Sequence, residues 1–441
     1  MKRYSEYKDS GVKWIGEIPV HWKMPRLKML TSFHNGDRSV NYPSGDDFVD
    51  DGIPFCGADS LCGLYVDLNY ARFITDKKYK LLGGFKIRKN DILYTLRGST
   101  IGKNAMALFS EGTVASSLMG IRKTTNRLIS NYLLYTLNSI CEENQRNVLI
   151  NGSTAPNLSA EDVGIFFIPL PPLPEQEAIV TYLDSKVAKI DEYISIAEKK
   201  IAALEELKQT IIAEAVTRGI HKDVPMKDSG VKWIGMIPEH WKIMRLRFVC
   251  EFRNGYTPSK ANPKFWENGT IPWFRMEDIR DSGRFLNEAK QYISKEAVKG
   301  DGLFEAGSFI LATTATIGEH AMLIADSLAN QQFTNLKIRK SLISKLSRNF
   351  FFYYLFVIDE YCKSTTRKAT FPSVDMTDLK NIGVSIPPIE EQQEIVTYLD
   401  SKVANINQLC QAERSQIEKL KEYKQRLISD VVTGKVKVTN D

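Results

Sequence analysis

A chain of 441 residues, 43% hydrophobic and 25% charged, has room for up to three domains of ordinary size and the composition of a globular protein. It has no apolar run of 18 or more residues, which excludes a membrane span, and its start, MKRYSEYKDSG, lacks the apolar core of a secretory signal. The net charge of +6 permits a polyanion partner without demanding one, and six cysteines without CxxC or zinc spacing point to reduced thiols in the cytoplasm.

Taken in order, the chain first shows DSGVKWIGEIPVHWKMPR at Asp9–Arg26. Short runs bounded by turn residues, DILYTL (91–96) and GIFFIPL (164–170), predict strands, and SNYLLYTLNSICEEN (130–144) predicts a buried helix. After PPLPEQ, the stretch to Arg218 contains no glycine or proline and predicts one long helix. Val187, Ile190, Ile194, Ala197, Ile201, Leu204 and Ile211 recur at spacings of three and four, with Lys208 in one slot of the stripe. At about 1.5 Å per residue this is a rod of roughly 65 Å.

The chain then repeats itself. DSGVKWIGMIPEHWKIMR stands at Asp228–Arg245, TIGKNAM at Thr100 returns as TIGEHAM at Thr316, and TAPNLSAEDV at Thr154 returns as TFPSVDMTDL at Thr370. SFILATT (308–314) and TNLKIRK (334–340) predict strands, and SRNFFFYYLFVIDEYCK (347–363) a buried helix. PPIEEQ opens a second long stretch to Val432, with VTYLDSKVA unchanged from the first and Lys424 where Lys208 stood. Val403, Ile406, Ile417, Leu420 and Leu427 carry its stripe, while Cys410 and Glu413 weaken the middle.

The fold class expected is α/β plus long helices: two tandem α/β domains separated by an antiparallel two-helix coiled coil, with pseudo-twofold symmetry. The boundaries expected are 1–170 and 219–386 for the globular domains, and 171–218 and 387–435 for the helices. Between the shared anchors the two copies diverge: GADSLCGLYVDLNYARF in one stands against RMEDIRDSGRFLNEAKQY in the other. A kept scaffold with a varied surface reads as two domains of one architecture with different targets.

Catalytic constellations are absent or fortuitous. GSTIGKN (98–104) is one residue short of a phosphate loop, lacks the Ser/Thr after its lysine and loses the lysine in the second copy. No GxGxxG precedes a helix, and no Asn-Pro-Pro-aromatic tetrad is present. Asp281 with Glu288 and Lys290 fits a metal-nuclease spacing, but the first copy offers no equivalent. His21-Trp22 and His240-Trp241, being repeated, read as a docking or packing motif. No catalytic and no metal residues are therefore assigned. Basic and amide side chains suit phosphate contacts and base-edge readout. The DNA-binding candidates are Arg97, Lys103 and Asn151 in the first domain and Arg253, Arg275, Arg367 and Lys368 in the second.

DSGVKWIGEIPVHW and its echo, LPPLPEQ and IPPIEEQ, and a long helix after each of two variable domains resemble the specificity subunit of type I restriction–modification enzymes. The resemblance covers essentially the whole chain. It implies a non-catalytic subunit whose two target recognition domains each read one half of a bipartite site in double-stranded DNA. It implies that the helices, Pro174–Arg218 with Glu391–Val432, set the unread gap and dock two methyltransferase subunits. It further implies that S-adenosylmethionine, ATP and Mg²⁺ belong to partner subunits, the modification subunits and the restriction (motor and nuclease) subunits, and that the location is cytoplasmic. The alternatives are a self-contained DNA-modifying enzyme, a nuclease or methyltransferase with an unrecognised site, and a pure assembly scaffold.

Overall fold

The computed structural model describes residues 2–150, 156–365 and 373–438. Its contacts divide the chain into two compact units, 1–198 with 414–441, and 199–413. Each unit takes half of each long helix.

In the first unit, strands β1 (Thr31–Asn35), β2 (Ile92–Thr95), β3 (Asn104–Met106) and β4 (Leu118–Lys123) form one side of a six-stranded sheet in the order β1-β4-β2-β3, with β1 at the edge. Two short strands, Tyr65–Val66 and Leu61–Cys62, extend it, the first pairing parallel to β3. Ile92, Leu93 and Tyr94 form an unbroken run of apolar and aromatic residues because β2 is buried on both faces. Ile92 and Tyr94 enter the main core, whereas Leu93 joins Phe85, Ala105 and Leu118 beneath the smaller four-stranded sheet.

The run 130–144 folds as two helices, α1 (Ser130–Leu137) and α2 (Ile140–Leu149), rather than one. The break lies at Asn138-Ser139. Asn138 Nδ2 donates to the Leu134 carbonyl at 2.9 Å and Ser139 Oγ to that of Thr136 at 2.6 Å, so these side chains satisfy the interrupted turn.

The second unit repeats this topology. Strands β5 (Cys250–Asn254), β6 (Phe309–Ala312), β7 (His320–Leu323) and β8 (Phe333–Ile338) take the order β5-β8-β6-β7, and Phe285–Leu286 pairs parallel to β7. Phe309 and Leu311 face one core, Ile310 and Ala312 the other. The predicted helix at 347–363 is α4 (Arg348–Thr365), and α3 (Leu173–Arg218) and α5 (Ile389–Val432) are the long helices.

The strand expected at GIFFIPL is absent. Gly164 ends a short helix, Ala160–Gly164, and only isolated bridges remain, Arg26 with Phe167 and Lys23 with Leu170. In the second unit the same positions pair continuously, Lys242–Arg245 against Gly383–Ile386. Pro25 removes one amide from the first ladder, where the second has Met244; Pro169 stands at a position whose counterpart, Ser385, turns its amide away from the ladder to the Tyr354 hydroxyl.

The long helices are anchored to each unit by the same residues. Gln176 is buried: its amide donates to the carbonyls of Arg127 (2.8 Å) and Pro171 (2.9 Å), and its oxygen accepts from the Ile129 amide (2.9 Å). Gln392 does likewise with Lys345, Pro387 and Ser347 at 2.8, 2.9 and 2.7 Å. Glu175 accepts the indole N–H of buried Trp22 at 2.9 Å, with His21 Nε2 at 2.6 Å. Glu391 accepts that of Trp241 at 3.0 Å, with His240 Nε2 at 2.8 Å. Tyr135 donates to Asp184 and Tyr353 to Asp400, each at 2.6 Å. The repeated His-Trp pairs are thus packing motifs.

Within each unit the helices run antiparallel. In the first, Lys424 Nζ meets both carboxylate oxygens of Asp191 at 2.6 and 2.8 Å; in the second, Lys208 Nζ meets Asn407 Oδ1 at 3.2 Å. The weak mid-seam expected at Cys410 and Glu413 is filled: Cys410 is buried, and Glu413 pairs with Lys200 at 2.5 Å. Replacing Gln176 with leucine leaves two carbonyls and one amide without partners. It is expected to destabilise the first unit by about 3 kcal/mol, read as a lowered denaturant midpoint, because buried orphans cost about 1–3 kcal/mol each.

Candidate nucleic-acid interface

The strand pair β2–β3 ends in an exposed turn, 96–103, and β6–β7 ends in its counterpart, 313–319. Arg97 lies on the first turn, exposed and with no side-chain partner among the described residues; its backbone bridges Asn157. Lys103, also exposed, donates to the Ala58 carbonyl at 3.1 Å. Thr314 occupies the corresponding position of the second turn and bridges Ser373. Asn151, Arg367 and Lys368 lie outside the described residues.

The remaining candidates are placed elsewhere. Arg253, at the end of β5, donates to the carbonyls of Asp301, Gly302 and Leu303 and stacks over Phe304 at 4.8 Å, so its guanidinium is engaged in holding the 301–303 loop. Arg275 precedes the short helix Met276–Ser282, pairs with Glu277 and lies 5.8 Å from the Trp273 ring. The structure thus brings Arg97 and Lys103 onto one turn and leaves Arg253 and Arg275 on separate segments.

Both turns rest on a buried polar cluster. Beneath the first, Glu142 of α2 is buried, accepts the Tyr94 hydroxyl and pairs with Arg146 Nε at 3.2 Å. Burial pushes the Glu142 carboxyl up to about 7, against the opposing pull of Arg146 and Tyr94. Beneath the second, His320 Nδ1 lies 2.5 Å from Asp359 Oδ2, and Arg284 reaches the His320 carbonyl, Asp359 and Glu319. Burial lowers the pKa of His320, with Asp359 opposing.

Lys290 pairs with Asp281 and approaches Glu277, so the nuclease-like spacing is an ion-pair cluster. Among the described residues, no group of three His, Cys, Asp or Glu side chains could hold a metal. No helix there is long and apolar enough to cross a membrane.

Comparison with known families decides the class. Residues 19–206 and 238–419 both match the type I restriction modification DNA specificity domain. The chain belongs to that family. It is 45% identical over 159 residues to the Escherichia coli EcoprrI specificity subunit, a match covering 34% of this chain and 40% of that one. Over 98% of both chains it is 24% identical to the putative MjaX specificity subunit of Methanocaldococcus jannaschii. A solved structure bearing on complex assembly and conformational transition of the type I R-M system superposes with a TM-score of 0.68 at 20% identity, covering 94% of this chain and 98% of the other. Membership in a DNA specificity family sets aside the self-contained enzyme. Two sets of residues passed over in the sequence stand out in this setting: Ser99-Thr100 and Thr316, at the tips of the two turns. Their signal was the repeat of TIG itself.

Glu142 gives the first unit a pH signature. With its folded pKa above the unfolded value, the native state holds the extra proton between about pH 4.5 and 7, and stability falls as pH rises through that window. Glu142→Gln is expected to flatten this fall, on the order of 3 kcal/mol in full, in denaturant titrations at pH 5 and pH 8.

Proposed function

We propose that this chain is the DNA-addressing subunit of a type I restriction–modification complex, with each globular unit reading one half of a bipartite duplex target. One observation carries the reading: the same sheet topology and the same helix anchors occur twice, while the segments between them differ in sequence. Repeated scaffold with unlike loops is the arrangement expected of two readers of two different words. Arg97, Lys103 and Asn151, with Arg275, Arg367 and Lys368, are the candidates for contacting DNA. Arg253 is the weakest, because its donors already meet three carbonyls.

In this reading the long helices set the unread gap and dock two methyltransferase subunits. S-adenosylmethionine serves those subunits, and ATP and Mg²⁺ serve restriction subunits with motor and nuclease activity. The complex works in the cytoplasm. No step of that chemistry falls to a residue of this chain.

Exchanging residues 31–150 for the matching segment of another member of the family is expected to change one half-site and leave the other intact, read by methylome sequencing. Changes in both halves would refute modular reading. The spacing role has its own test. Since Lys200 meets Glu413 and Lys208 meets Asn407, the level opposite Leu204 is near Cys410. One heptad inserted in each helix at that level adds about 10 Å, or roughly three base pairs, to the gap. An unaltered gap would refute the spacing role.

A further inference from the structure

The two turns that end β2–β3 and β6–β7 differ by one residue in length, yet each holds two residues in the left-handed region. Gly98 and Gly102 hold φ of +88° and +87°; in the second unit Ala315 and Gly318 hold +62° and +79°. An alanine in the left-handed region costs about 1 kcal/mol or more, so the second turn holds its left-handed residue against strain. Under each turn the space a side chain would need is filled. A Cβ on Gly102 would strike the Arg146 guanidinium, and one on Gly318 would strike the Lys363 side chain and the Asp359 carbonyl. A basic side chain therefore braces the turn in both units.

At the tips, two successive amides hydrogen-bond to no described residue: those of Ser99 and Thr100 in the first unit, and those of Thr316 and Ile317 in the second. Successive free amides beside a left-handed residue form a concavity suited to an anion. The first turn also carries Arg97 and Lys103, both exposed. What both units share cannot distinguish one DNA word from another, whereas a contact to the sugar–phosphate backbone is needed by both alike.

We propose that these paired turns are sequence-independent phosphate contacts, gripping DNA through main-chain amides and fixing the register in which the divergent loops read bases. The proposal rests on the DNA-reading role above and assigns one element within it. It makes Arg146 and Lys363 positioning residues, acting through the turn they support.

The test uses the full chain, with whatever subunits co-purify, and duplexes that carry or lack the target. Ser99→Glu and Thr316→Glu place a carboxylate at each tip. Asn126→Glu puts the same charge on an exposed position of the first unit outside the turn. Thermal melting confirms that each variant is folded. Each tip glutamate is expected to weaken binding to every duplex about tenfold and to make the plot of log affinity against log salt shallower by about 0.9, with the preferred sequence unchanged. Asn126→Glu is expected to bind as the parent does. A tip glutamate that alters the preferred half-site, or leaves affinity and salt slope unchanged, overturns the proposal. So does an Asn126→Glu loss as large as the tip variants'. A parent chain that shows no sequence-selective duplex binding overturns the DNA-reading role itself, and this assignment with it.

Discussion

A carboxylate and an amide, side by side at the start of each long helix, govern how helix and globule meet. Glu175 and Glu391 each accept a buried indole N–H, and Gln176 and Gln392 each close on three backbone groups that have no other way to be satisfied. Apolar packing alone tolerates sliding and rotation, because its energy depends on area and little on direction. Hydrogen bonds to buried groups do not: a small rotation of the helix about its axis would leave several orphans at once. The direction in which each helix leaves its globule is thereby specified, and specified identically in the two units. Tyr135 with Asp184 and Tyr353 with Asp400 hold the same relation about two and a half turns further along the helix.

The seam uses polar groups in a similar way. Lysines in a stripe otherwise built of Ile, Leu and Val look like faults, yet Lys424 meets Asp191 and Lys208 meets Asn407 at equivalent levels of the repeat. Half-exposed pairs of this kind add little stability. Their effect is on register, since a shift by one heptad would separate both pairs while leaving the apolar contacts nearly as good.

Much of this was legible in the sequence, for reasons that differ from element to element. DILYTL and SFILATT could be read as strands because burial on both faces leaves a short unbroken apolar centre, Ile92–Tyr94 and Phe309–Ala312, between turn residues. The long helices could be read because a stripe at spacings of three and four, unbroken by proline or glycine, admits no other regular structure. GIFFIPL misled because apolar content is indifferent to whether amides are present, and Pro25, remote in sequence, removes one from the partner strand. The run 130–144 misled because Asn138 and Ser139 each find a local carbonyl that competes with the helix. Among the candidate contacts, Arg253 shows the limit most plainly. A side chain's type says that it donates hydrogen bonds, not whether nearby carbonyls have already claimed them. The turn tips escaped notice because the groups that matter there are main-chain amides, which every residue but proline possesses.

The first unit is assembled from residues on either side of the second. Leu427, Ile428, Val431 and Val432 lie in the same core as Trp22 and Tyr132, and the Tyr7 hydroxyl donates to the Gly434 carbonyl. On the ribosome, residues 199–413 are complete before those four side chains exist. The globule made first is therefore finished last. Until then its core has an open flank where Leu427, Ile428, Val431 and Val432 will pack.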